Sequence, residues 1–249
     1  MCARCGDSLG RPSTEFPASS LCRACRLAPP PFVRAAAYGL YEGRMKEAIH
    51  ALKYGRVYPA ARELGRLLAK AVDALCVVAP NRMLVVPGPL HRSKLSQRGF
   101  NQARLLAQHA LDFLAKSHPS WQLVLADRSL MRLRATQSQA GLSPRERRLN
   151  VRGAFTVSEP RSVAQKHILL IDDILTTGAT ARAAAQALLQ AGAASVWVAT
   201  LARAQRSFAP GGRLAEETQG LHRTGDAPAA HLPSDRTRFS GDPLPFYEG

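Results

Sequence analysis

The stretch Ile168-Leu169-Leu170-Ile171-Asp172-Asp173-Ile174-Leu175-Thr176-Thr177-Gly178-Ala179-Thr180 decides the fold of this chain. Ile168 to Ile171 is a short apolar run of the kind that fills a strand buried on both faces of a sheet. Asp172 to Thr177 reads as the turn after it, and Ala179 to Ala191 as an alanine-rich helix closed by Gly192. Ser195 to Thr200 supplies the next strand. Strand, crossover helix and strand in that order predict an α/β fold whose parallel sheet is flanked by helices. Ligands of such folds sit outside the carboxyl ends of the strands, which is where Asp172 and Asp173 fall.

Thr176, Thr177, Gly178, Ala179 and Thr180 bring hydroxyls and free backbone N–H groups to a helix start, an arrangement that grips a phosphate dianion. Gly178 allows the tight turn. A phosphate site beside two carboxylates suits a ligand with phosphate at one end and hydroxyls or a metal at the other, and a phosphorylated ribose meets that description. The plainer alternative makes the threonines an N-cap of a different nucleotide-binding protein. A P-loop is excluded, because G-x-x-x-x-G-K-[ST] does not occur in the chain.

Working outward, Met45 to Lys53, Ala60 to Leu75 and Gln102 to Leu114 have helical apolar spacing. Leu84 to Val86 is a buried strand halted by Pro87-Gly88-Pro89, and Leu123 to Ala126 and Ala154 to Val157 are further candidate strands. Pro29, Pro30 and Pro31 mark a boundary, since a proline run fits neither a helix interior nor a central strand. The chain therefore divides into a small module at 1–30, a main α/β domain at 31–204, and a tail at 205–249. The tail is rich in Gly, Pro, Ser, Thr and charge without periodicity, and is read as disordered.

The module holds Cys2, Cys5, Cys22 and Cys25, two C-x-x-C pairs with sixteen residues between Cys5 and Cys22. This spacing reads as a closed four-thiolate structural zinc site, which a segment this short needs in order to fold. Cys76, in an apolar stretch, reads as a core thiol.

A formal charge of +16, from 34 Lys and Arg against 18 Asp and Glu, attracts phosphates, whether on a small ligand or on nucleic acid. Arg128, Arg132, Arg134, Arg145, Arg147, Arg148 and Arg152 crowd one stretch, either as a solvated face or as contacts to a nucleic-acid backbone. Thr136, Gln137, Gln139 and Asn150 lie among them as neutral hydrogen-bonding groups. Aromatics make up only 6% of the chain, so stacking platforms for single strands are few. No apolar run approaches a membrane span and no leader precedes the cysteines, so the expectation is a cytoplasmic protein without membrane insertion.

These motifs together carry a resemblance. The Asp172 to Thr180 segment resembles the 5-phosphoribosyl-1-pyrophosphate signature of type I phosphoribosyltransferases, in which the acidic pair faces the ribose hydroxyls and the Thr-rich loop holds the 5-phosphate. Val85-Val86-Pro87-Gly88-Pro89-Leu90-His91 resembles the pyrophosphate loop of that fold, and Arg98-Gly99-Phe100-Asn101-Gln102 the segment after it. From Cys2 to about Arg203 the chain is similar to the ComF family, associated with DNA uptake during natural competence. The cysteine pairs, Lys53-Tyr54, Asn150-Val151 and the aspartate-threonine site occur in that family's order.

The resemblance implies magnesium-bound phosphoribosyl pyrophosphate as ligand, with Pro87, Gly88 and Arg98 toward its pyrophosphate. Asp172 and Asp173 become the catalytic carboxylates if the phosphoribosyl group is transferred to an acceptor. Single-stranded DNA and competence-machinery proteins are the implied partners. Gly88 stands where the family usually has valine. Lys53 and Tyr54 read either as ligand contacts or as a helix-end cation and a core aromatic. His91 reads as a loop residue.

Overall fold

The computed structural model describes residues 1–9, 20–55, 57–135 and 142–205. Thr136, Gln137, Gln139 and all but the first residue of the expected tail lie outside them. In chain order the elements are α1 Arg23–Leu27, β1 Ala35–Leu40, α2 Gly43–Tyr54, α3 Ala60–Asp73, β2 Arg82–Pro87, α4 Arg92–Arg98, α5 Gln102–Ser117 and β3 Gln122–Leu125. There follow β4 Leu130–Arg132, α6 Pro144–Val151, β5 Phe155–Val157, α7 Pro160–Val163, β6 His167–Leu175, α8 Ala179–Gln190 and β7 Ser195–Arg203.

Five strands form one parallel sheet in the order β1-β7-β6-β2-β3, and β4 pairs antiparallel with β5. The apolar runs of β2, β6 and β7 sit in the middle because helices cover both faces. Ile168, Leu170, Val196 and Val198 pack on the alanine face of α8, and the four cysteines join that same layer. Leu169, Ile171, Val85 and Trp197 pack on the other side against α2, α3 and α5. The α/β fold with a parallel sheet flanked by helices is therefore the one the sequence predicts.

Two differences bear on the site. Asp172 to Thr177 is not all turn. β6 continues to Leu175, because β7 also runs on to Arg203 and supplies ladder partners, with Asp172 opposite Thr200, Ile174 opposite Ala202 and Leu175 opposite Arg203. Side-chain alternation then breaks at the aspartates. Continuing the pattern of Ile168 and Leu170 would place Ile174 on the α8 side, yet Ile174 joins the α3/α5 layer and Leu175 the α8 layer.

Candidate functional site

Asp172 and Asp173 stand at this break, toward the carboxyl end of the central strand β6. Neighbouring strand residues ordinarily face opposite sides of a sheet. Here the two carboxyls nonetheless feel one another, and the ammonium of Lys53, from the last turn of α2, acts on both. Lys53 Nζ pairs with Asp173 Oδ2 in a largely buried contact. Asp172 Oδ1 accepts the Asp173 backbone N–H at 2.9 Å.

Burial pushes the Asp172 carboxyl well above its ordinary value, and the charge of Asp173 adds to the rise. Burial also opposes ionisation of Asp173, but Lys53 outweighs it and holds that carboxyl below the ordinary value. Lys53 in turn stays protonated against its own burial because Asp173 faces it. The pair thus divides into a readily protonated Asp172 and an ionised Asp173, as happens when close carboxylates share one cation.

A shallow cleft adjoins Asp172 and is lined by Ile174, Leu175, Thr176, Gly178, Ala179 and Thr180. The turn is tight because Gly178 takes φ +75°, the left-handed region that favours glycine. Thr177 Oγ1 accepts the Ala179 N–H at 3.3 Å, so one threonine caps α8 while the turn lines the cleft. α8 points its amino end, the positive pole of the helix, at the same place.

The Pro87-Gly88 loop borders Asp172. Gly88 N–H donates to Ile171 C=O at 2.7 Å, and Gly88 C=O accepts from Asn101 Nδ2 at 3.1 Å. A β-carbon on Gly88 would stand 3.3 Å from Ile171 O and 3.5 Å from Asp172 Cγ, so this glycine lets the loop lie against the strand. Asn101 also caps α5, its Oδ1 accepting the N–H groups of Ala103 and Arg104. One side chain therefore ties the loop to the helix after it.

Lys53 and Arg132 act on the carboxylates, and further cations gather around those two. Burial, and then the charges of Arg132, Arg98 and Lys53, hold the Lys94 ammonium below its usual value. Burial also lowers Arg132, while Asp172 pulls the other way. Arg98 Nη1 donates to Gln102 Oε1 at 2.6 Å and its guanidinium stacks over Tyr54, 5.3 Å from the ring centre. Tyr54 is 70% exposed, so it is not the core aromatic of the plainer sequence reading. His91 caps α4, its Nδ1 2.8 Å from Ser93 Oγ.

Of the seven arginines of the basic stretch, Arg128, Arg134, Arg145, Arg148 and Arg152 are exposed. Arg132, on β4, turns toward Asp172, and Arg147 is half-buried on α6, which packs against α8. Sequence reasoning missed Lys94 and the place of Arg132, and left Lys53 undecided. Nothing local marks them, since each acts through residues distant in the chain. The capping box of α6, Ser143 with Glu146, was a readable signal for that helix.

Cys2, Cys5, Cys22 and Cys25 are buried with their sulfurs within 4.8 Å of one another, and Cys5 Sγ lies 3.7 Å from Cys22 Sγ. They can hold one metal ion. Backbone N–H groups around Cys2 outweigh its burial and draw that thiol down to about 6, while burial pushes Cys5 up to about 11. Arg203, the last residue of β7 and only 3% exposed, reaches Cys5 Sγ at 3.7 Å and Asp7 Oδ2 at 3.3 Å. Cys76 is half-exposed rather than a core thiol, because the chain after α3 runs along the surface.

The parallel sheet, the acidic strand end and the Thr-Gly turn define a protein of the phosphoribosyltransferase fold. In keeping with this, residues 98–214 match the phosphoribosyl transferase domain. The chain is 34% identical to the DNA utilization protein YhgH of Salmonella typhi over 82% of this chain and 84% of that protein. It is 27% identical to competence protein F of Haemophilus influenzae over the same shares. Against competence protein ComFC of Bacillus subtilis it is 34% identical over 66% of this chain and 61% of that one. The chain belongs to the ComF family. No helix among the described residues is long and apolar enough to cross a membrane.

Proposed function

We propose that the chain binds 5-phosphoribosyl-1-pyrophosphate with magnesium at this strand end, and that it serves the uptake of single-stranded DNA in natural competence. One observation carries the ligand: the carboxyl of Asp172, coupled to the ionised Asp173 beside it, shares one cleft with Thr176, Gly178 and Thr180 of the turn. Thr176, Thr177, Gly178, Ala179 and Thr180 hold the 5-phosphate, the aspartates face the ribose hydroxyls, and Arg98 with the Pro87-Gly88 loop faces the pyrophosphate. Magnesium supplies charge neutralisation on the phosphates when bound. The family and the names of its relatives support the competence role, with competence-machinery proteins as partners.

Titration calorimetry with magnesium and phosphoribosyl pyrophosphate tests the ligand. Asp172→Asn with Asp173→Asn loses about 100-fold in affinity, as two charge-assisted hydrogen bonds require. Undiminished affinity in that variant refutes the assignment.

Lys94, Arg98 and Arg132 favour a second reading, transfer of the phosphoribosyl group to an acceptor. Bond breaking at ribose C1 leaves positive charge on the sugar and negative charge on the departing pyrophosphate. The two aspartates oppose the first and the three cations the second, with the substrate held in place throughout. Pyrophosphate release that depends on one member of a panel of bases and amines supports catalysis, and binding without release supports the first reading.

The four cysteines suit zinc. Sulfurs each about 2.3 Å from a tetrahedral centre stand roughly 3.8 Å apart, and Cys5 and Cys22 are 3.7 Å apart. All four positions are thiolates, so the role is structural.

A further inference from the structure

α3 and α5 lie on the same face of the sheet, packed on one another, and bring their carboxyl ends to one place. Carbonyl groups at the end of a helix leave a negative pole, so two such ends together favour a cation. Asp73, the last residue of α3, adds a carboxylate there. His118 caps α5 with its backbone N–H bonded to Leu114 C=O at 2.8 Å, and its Nε2 lies 2.6 Å from Asp73 Oδ1. Cys76 comes from the turn after α3, held by its N–H to Asp73 C=O at 2.9 Å, with Sγ 3.7 Å from Asp73 Oδ1. The three ligand atoms lie within 4.8 Å of one another. Trp121 meets the His118 ring edge-on at 6.1 Å between centres and is fixed by Nε1 donating to Pro80 C=O.

We propose that Asp73, Cys76 and His118 form a second metal site, taking a borderline divalent transition ion such as zinc or cobalt and clamping the carboxyl ends of α3 and α5. An imidazole, a thiolate and a carboxylate are the donor types such ions prefer, and hard ions such as magnesium do not take thiolate. The ion displaces the proton between His118 and Asp73. Donors about 2.0–2.2 Å from a tetrahedral centre stand roughly 3.4 Å apart, so the pair opens by under about 1 Å, within the freedom of half-exposed side chains. The alternative use of these residue types, a nucleophilic cysteine activated by histidine, does not fit. Cys76 faces Asp73, and burial and that carboxylate keep its thiol protonated until a metal replaces the proton.

This proposal does not rest on the ligand of the main cleft. Cobalt added to the full-length chain carrying a single equivalent of zinc, enough for the four-cysteine cluster alone, tests it. One equivalent is expected to give a sulfur-to-cobalt charge-transfer band and to quench Trp121 fluorescence. Cys76→Ala removes the band, and His118→Ala weakens cobalt binding at least about 10-fold. Cys76→Ala leaves the bound zinc of the chain unchanged, which separates this site from the four-cysteine cluster. Asp73→Asn, which preserves shape, weakens cobalt binding without altering the unfolding temperature measured before cobalt is added. A band that survives Cys76→Ala, or the lack of any band in the wild-type chain, overturns the proposal.

Discussion

Lys53 is the side chain on which the site's charge balance turns. Replacing it with methionine leaves Asp173 buried without the cation that keeps it ionised, a change that costs about 3–5 kcal/mol. Chemical denaturation should register this as a lower midpoint with an unchanged slope. Asp172→Asn acts in the opposite direction. Because burial raises the Asp172 carboxyl above its ordinary 3.8, the stability it contributes is whole below that pH and is lost as pH rises through the folded value. The asparagine variant keeps that stability, so at neutral pH it should unfold at higher temperature than wild type, the gap closing in acid. Asp173, with a lowered pKa, gives the reverse dependence, its stabilisation fading as pH falls. At this scale the aspartates, the Thr-Gly turn and the cysteine pairs were legible because each is a local spacing. Lys53, Lys94 and Arg132 were not, since only the fold brings Lys53 and Arg132 to Asp172 and Lys94 to those two cations. Cys76 misled because apolar neighbours in sequence are a poor guide once a helix has ended.

Among the elements, the turn into α8 and the amino end of α6 invite direct tests. Gly178→Ala places a β-carbon in the left-handed region, which costs about 1–2 kcal/mol, and binding of the phosphorylated sugar should weaken in parallel. Ser143→Ala removes one half of the α6 capping box and costs about 1 kcal/mol, read as a lower unfolding temperature with the main site intact. The apolar cores of β2, β6 and β7 were readable because buried parallel strands are unbroken hydrophobic runs. β1 was not. Ala35, Ala36, Ala37 and Gly39 carry little strand preference, and the strand forms because β7 presents a free edge to it. The extension of β6 through two aspartates was hidden for a related reason, since charge argues against a strand until a longer neighbour supplies the hydrogen bonds.

Across the whole molecule, basic charge and the cysteine module make separate predictions. Changing Arg145, Arg148 and Arg152 to alanine should weaken retention of single-stranded DNA without affecting the sugar ligand. The logarithmic salt dependence should become shallower by about 0.7 for each phosphate that is no longer neutralised. Retention indifferent to salt would remove the nucleic-acid reading of that face. Cys22→Ser should lower bound zinc and the unfolding temperature together, because the cysteines are packed into the same layer as β6, β7 and α8. The order of segments announced an α/β protein with a parallel sheet, but nothing in the sequence said that the four cysteines would join the same layer as β6, β7 and α8.

Arg203 gives the chain a temporal order. Cys5 and Asp7 are made before the guanidinium they surround, which arrives with β7, 198 positions after Cys5. β1, bonded in the sheet to β7 alone, has to wait for the same event. The segment around Cys5 and Asp7 is thus held open until β7 emerges, and its closing seals an earlier-made part of the chain against a later one. A truncation before Arg203 would leave both the edge strand and the thiol cluster without their anchor, exposed to oxidation and proteolysis.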